Sequence, residues 1–247
     1  MEVHHHAHTA RIKWTHYFWE FLMLFLAVFC GFLAEYQLEH KIEKNREKQF
    51  MVSMIEDLKA DTSAISILNE QRSGRLGMYD SLSKSIIEKK YAGNGSDFYY
   101  WGRNISRRAF FFSADGTMQQ LKNSGGLRLI TNTSIADKII AYDVLYRGIL
   151  IQQQQEEIQL NEYRLIAARV FDAAVFNKMA KLKDPILIEK PEGNPQLKDS
   201  SPVTLNELAN KLNYWAVGSL RLLQLLEQLK KMAFELIDSI KNEYHLK

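Results

Sequence analysis

Hydrophobic and polar positions alternate in three distinct regimes along the chain. From Tyr17 to Tyr36 the sequence reads YFWEFLMLFLAVFCGFLAEY, charged only at Glu20 and Glu35 near its ends. A helix of that length rises about 30 Å, the thickness of a bilayer's hydrocarbon core. Trp14, Tyr17, Trp19 and Tyr36 fall where interfacial aromatics anchor a span. Glu20 sits in the first turn, one turn from His16, where the helix dipole tolerates an anion. The second regime, HKIEKNREKQ, is charged on every face, as a solvated neck would be.

The third regime is amphipathic. Apolar positions return at Met51, Met54, Leu58, Ile65 and Leu68 with Asp61 interrupting, and no Gly or Pro occurs from Gln37 to Gln71. The three-four spacing predicts one helix from Thr15 to Asn69, roughly 80 Å long. Ser73-Gly74 and Gly77 predict a soft boundary, and a second helix follows over Met78 to Lys90. After an AGNGS loop comes an aromatic segment from Phe98 to Phe112, then a short helix over Thr117 to Asn123 closed by Ser124-Gly125-Gly126.

A long helix is predicted from Ser134 to Lys181, capped by Thr133 or Ser134. Gln153 and Glu156 fall on its apolar stripe, within the run QQQQEE. We read that run as a solvated belt between two packed zones, with a polar layer and a local break as the alternatives. The last helix, Thr204 to Tyr244, carries the clearest stripe: Leu205, Leu208, Leu212, Trp215, Ser219, Leu222, Leu226, Leu229, Ala233, Leu236 and Ile240. Leu220, Leu223 and Ile237 widen it, which suits an antiparallel bundle better than a two-stranded coil.

The predicted fold is therefore all-α: an N-terminal transmembrane helix continuing into a long-helix antiparallel bundle. Its divisions are a tail (1–14), a span (15–36), a neck and first bundle helix (37–71), and a bundle domain (72–247) with a connector over 182–203.

Composition sharpens this picture. The chain has 247 residues, and its only four prolines, Pro185, Pro191, Pro195 and Pro202, all lie in that connector. So few prolines argue against a turn-rich β fold. The single cysteine, Cys30, excludes an internal disulfide framework and a Cys-based zinc site. A net charge of +3 gives no reason to expect a nucleic-acid partner. A cleavable signal peptide ending at Ala34 would need a small residue where Phe32 stands, so the segment reads as a retained anchor.

Three residue groups invite chemical readings. Ala27, Cys30, Gly31 and Ala34 fall on one stripe of the span, and small residues there let a second membrane helix approach closely. Arg103, Arg107 and Arg108, among aromatics, are candidates for holding an anion or ligand, against the alternative that they snorkel beside packed rings. His4, His5, His6 and His8 offer imidazoles for Zn²⁺, Ni²⁺ or Cu²⁺, against the alternative of a flexible tail. Ser124-Gly125-Gly126 lacks the GK[ST] of a phosphate loop. No nucleophile, HExxH, dinucleotide or EF-hand motif occurs, so no catalytic residue and no resident cofactor is expected.

The segments FLAVFCGFLAE, REKQFMVSMIEDLKADT and MQQLKNSGGLRLITNTSIADKIIAYD, with the opening MEVHHHAH, resemble a family of uncharacterised single-pass membrane proteins of Bacteroidota. The resemblance covers about the first 70 residues and a second block of 25, and brings no activity with it. It implies a bacterial inner-membrane protein with its N-terminus inside and its helical domain in the periplasm. The basic residues flanking this span, Arg11 and Lys13 before it and Lys41, Lys44, Arg46 and Lys48 after it, tilt the opposite way. The expected role is non-catalytic: an accessory or scaffold subunit that self-associates or docks onto a larger membrane assembly. A ligand-binding periplasmic sensor and metal handling by the tail are the alternatives.

Overall fold

A computed structural model describes residues 14–180 and 187–246. Contacts divide the chain into two compact units, Met1–Gln49 and Phe50–Lys247. The elements are α1 (Trp14–Ile87), α2 (Gly95–Ile105), α3 (Gly116–Asn123), a 3-10 turn (Gly126–Leu129), α4 (Thr133–Val170), α5 (Ala173–Met179) and α6 (Pro202–Tyr244). The described residues contain no strand beyond an isolated bridge, Ala180 to Ile188. The all-α architecture read from the spacing is the one observed.

In the first unit, α1 carries the apolar segment, long and apolar enough to cross a membrane and with none of its most apolar 18-residue window buried.

In the second unit, α4 and α6 pack along their length. Their cross-links run in opposite senses: Asn132 to Glu243, Lys138 to Ser239, Lys211 to Glu162, Arg169 to Glu207. The two helices are therefore antiparallel. Part of α1 completes the bundle. Asp61 meets Tyr142 and Arg72 meets Glu156, so α1 runs parallel to α4. Asn69 meets Glu227 and Tyr79 meets Asn213, so α1 runs antiparallel to α6. The segment 88–132 carries the chain back between α1 and α4.

Two apolar clusters build the core. One joins Met51–Leu68 of α1, Ile135–Ile149 of α4 and Leu222–Ile240 of α6. The other joins Leu82, α2, Leu160–Val170 of α4 and Leu205–Ala216 of α6 around Phe171. Ten of the eleven stripe positions of α6 are apolar, and all eleven are buried. At about 1.5–3 kcal/mol per buried leucine-sized side chain, this face dominates the helix's stability. Leu220 is the exception to the expected widening: it is half-exposed, on the flank of the stripe.

Four sequence expectations change. The glycines at 74 and 77 do not end α1, which continues to Ile87. Each costs about 1 kcal/mol relative to alanine, a penalty the packed face around them outweighs. The cap of α4 is Asn132, whose Oδ1 accepts from the Ser134 and Ile135 amides, and not Thr133 or Ser134. The helix expected to reach Lys181 ends at Val170. Phe171 is extended there, and Asp172 caps α5 by accepting from the Ala174 amide at 2.7 Å. Phe171 is held by Phe98, Tyr99 and Phe176, with ring centroids 5.7, 5.1 and 5.0 Å away. Finally, Gln153 and Glu156 are buried, so these two residues of the QQQQEE run form part of a polar layer, while Gln154 and Gln155 between them are exposed.

The described part of the proline-rich connector forms a strap on α2. Asn194 accepts from the Gly95 amide at 2.7 Å and donates to the Ala92 carbonyl at 2.9 Å. Ser96 donates to the Pro191 carbonyl, and Tyr99 donates to that of Gln196. Ser201 then caps α6, with Pro202 in its first turn. At the other end of the short helices, Gly125 adopts a positive φ of 66°, which explains the glycine after α3.

Candidate functional site

Between the two apolar clusters lies a layer of buried polar side chains. Arg72 is 1% exposed. Its Nη1 and Nη2 donate to Oε1 and Oε2 of Glu156 at 2.7 and 2.9 Å, a two-pronged pair. Nη1 also reaches Ser219 Oγ at 3.2 Å, and Nη2 donates to the Ala109 carbonyl. Beside them Gln153 binds the backbone of Phe111 in both directions, accepting from its amide at 2.6 Å and donating to its carbonyl at 3.2 Å. Asn69 donates to Glu227 at 2.6 Å. The segment after α2 is thus tied to α1 and α4 by side chains satisfying its backbone.

One turn after Arg72 on α1 comes Arg75, also buried. Its Nη1 donates to the Arg107 carbonyl, but its Nη2 is buried without an acceptor among the described residues. Burial, and the positive charges of Arg72 and Arg107, pull its pKa down to about 10, against the pull of Glu156. Arg75 lines a cleft of about 350 Å³ with Gly74, Met78, Asn104, Arg107 and Arg108. No carboxylate pairs with Arg75 or Arg107 among the described residues. Arg108 pairs with Glu157 at 2.6 Å, and Glu157 is shared with Arg164 at 2.9 Å.

The structure therefore divides the arginine set read from sequence. Arg107 and Arg108 line the cleft. Arg103 lies over the Phe176 ring, 5.5 Å from its centroid, and takes no part in it. Arg75, the most buried group in the cleft, was not singled out from sequence. Its signal was present: Leu58, Asp61, Ile65, Leu68, Arg72 and Arg75 continue one stripe in steps of three and four.

Asp61, the interruption in that stripe, is buried too. It accepts from Ser113 Oγ at 2.5 Å, the Ala114 amide at 2.7 Å and Tyr142 Oη at 2.6 Å. Desolvation raises its pKa above 3.8, the three donors oppose the rise, and Asp57 adds to it. The folded state thus holds this proton more tightly than the unfolded chain. The contribution is most favourable below pH 3.8 and is lost as pH rises through the raised value. The stability of the protein relative to its Asp61→Asn variant should therefore fall as the pH rises above 3.8, read by chemical denaturation at each pH. A pH-independent difference would refute this.

Ala27, Cys30, Gly31 and Ala34 lie exposed on the apolar segment of α1, and a Cβ added at Gly31 would meet nothing within 4 Å. His4, His5, His6 and His8 lie outside the described residues. Among the described residues no group of three or more His, Cys, Asp or Glu is placed to hold a metal.

Comparison of this chain with protein-family models, with curated proteins and with solved structures gives no match.

Proposed function

We propose that this chain is a non-catalytic, single-pass membrane protein of the bacterial inner membrane. Its helical bundle, on the periplasmic side, acts as an accessory or scaffold subunit that self-associates or docks onto a larger assembly. The observation that carries the reading is the apolar segment of α1: twenty residues with two charges, none of its most apolar window covered by the rest of the chain. Apolar surface on that scale requires lipid or another protein as its neighbour. The resemblance to the Bacteroidota family supports the orientation.

A second surface supports docking. Val144, Ile151, Ile158 and Leu165 recur every seven residues along α4 and are 53, 62, 53 and 71% exposed. Apolar residues at that interval suit contact with another helix.

The test uses Gly31, where a larger side chain meets nothing in its own chain. The full-length protein should stay in the membrane pellet through alkaline carbonate extraction. Gly31→Leu should leave that unchanged while lowering both cross-linked self-association and co-purified partner in mild detergent, because the small-residue face can no longer approach a helix closely. Release of the wild type into the supernatant would overturn the anchor. Association unchanged by Gly31→Leu would overturn the contact.

A further inference from the structure

The docking role makes no use of the arginine cleft, which is built unlike the rest of the bundle surface. Its buried member, Arg75, has a guanidinium nitrogen, Nη2, that is buried without an acceptor among the described residues. A buried donor left unpaired is costly, and a buried cation without a counter-charge more so. Around it the charge does not balance. Arg72, Arg75, Arg107, Arg108 and Arg164 surround Glu156 and Glu157, and both carboxylates are already engaged, by Arg72 and by Arg108 with Arg164. Both local carboxylates are engaged, and Arg75 and Arg107 line the cleft with no carboxylate partner among the described residues.

One of the residues lining the space is a glycine. Gly74 lies mid-helix, where alanine would be favoured by about 1 kcal/mol, and a Cβ there would meet nothing within 4 Å. A long side chain at this position would enter the cleft beside Arg75. The volume of about 350 Å³ is in the range of small-molecule sites. Met78 and Ala109 contribute apolar lining, and Asn104 and the arginines contribute polar lining.

We propose that the cleft lined by Gly74, Arg75, Asn104, Arg107 and Arg108 binds a phosphate group carried on a small organic molecule. Guanidinium groups meet phosphate oxygens with paired, charge-assisted hydrogen bonds, and Arg75 has a donor to spare. Arg75 supplies the fixed, desolvated contact. Arg107, with no carboxylate partner among the described residues, closes on the anion from the rim, and Arg108 exchanges Glu157 for it. The apolar lining accommodates the body of the ester.

The full-length protein in non-ionic detergent is titrated calorimetrically with inorganic phosphate, phenyl phosphate and dihexanoyl phosphatidic acid. Saturable binding is expected, tighter for the esters than for the free ion. Preference between the two esters distinguishes a soluble metabolite from a lipid headgroup. Arg75→Met and Gly74→Leu should each weaken binding at least about tenfold, the first by removing a charged donor and the second by filling the cleft with every arginine intact. Gly74→Leu keeps the test decisive if Arg75→Met folds poorly, since leucine is a better helix former than glycine. No saturable binding of any of the three probes, or equal binding by wild type and Gly74→Leu, overturns the proposal. Either failure leaves carbonate extraction and the effect of Gly31→Leu untouched, so the docking role stands or falls separately.

Discussion

Replacing Glu156 with alanine should cost the bundle about 3–5 kcal/mol, read as a fall in the denaturation midpoint of the full-length protein in detergent. The magnitude comes from what is left behind. Arg72 is 1% exposed and cannot turn to water. Without Glu156 its guanidinium keeps only Ser219 Oγ at 3.2 Å and the Ala109 carbonyl as acceptors. The cost is therefore that of an uncompensated buried cation, well above the value of the ion pair itself. A paired replacement separates the two quantities. The double variant Arg72→Met, Glu156→Leu removes both charges and restores apolar volume, so it should be less destabilised than Glu156→Ala alone. A loss under about 1 kcal/mol for the single variant, or a double variant at least as unstable, would refute the assignment.

Gly102→Ala should destabilise the fold by about 2 kcal/mol, although alanine is the better helix former. A Cβ at Gly102 would stand 2.3 Å from Phe171 Cζ and 2.8 Å from Cε2. The ring is 3% exposed and enclosed by three other aromatics, so it has no room to retreat. Displacing α2 instead would strain the 2.8 Å bond from Tyr163 Oη to the Gly102 carbonyl. The overpacking cost exceeds the gain of about 1 kcal/mol in helix propensity. Gly74→Ala, the same change with open space around it, should stabilise by about that gain. Phe171→Leu should cost less in the Gly102→Ala background than alone, because the smaller side chain relieves the clash. Stabilisation by Gly102→Ala would show that the ring yields freely.

The contrast between these glycines marks what the sequence conveys. The stripes of α4 and α6 follow from period alone, since every apolar step of three or four meets a core. Gly74, Gly77 and Gly102 look alike as letters. The first two read as a break in α1 and are not one, because packing on either side outweighs a local preference of about 1 kcal/mol each. The third is required by a residue 69 positions away, which no local pattern records. The end of α4 is similar. Asp172 is a legible cap, yet its effect depends on Phe171 finding an aromatic socket supplied by α2 and α5.

Polar residues on the apolar stripes were the most informative and the easiest to misread. Gln153, Glu156, Asp61 and Ser219 each sit where a leucine would fit the period. On one helix alone such a residue is indistinguishable from a solvated interruption. Only across helices does the complement become visible: the arginine for Glu156 lies on α1, 84 positions away. The cleft was half legible for the same reason. Arg107 and Arg108 stand out in an aromatic segment, whereas Arg75 lies between Gly74 and Gly77, in a stretch that reads as a helix end.

The Arg72–Glu156 pair has a further consequence for how three long helices choose their alignment. Repeating leucine-rich faces are nearly self-similar under a slide of one turn, so apolar packing alone discriminates weakly between neighbouring settings. A slide of α4 by four residues against α1 would bring Leu160 or Gln152 opposite Arg72 in place of Glu156. Neither can neutralise it, and each wrong setting then strands a cation in the interior. The pair indexes the bundle: it adds little to the depth of the correct minimum and raises the energy of its nearest competitors.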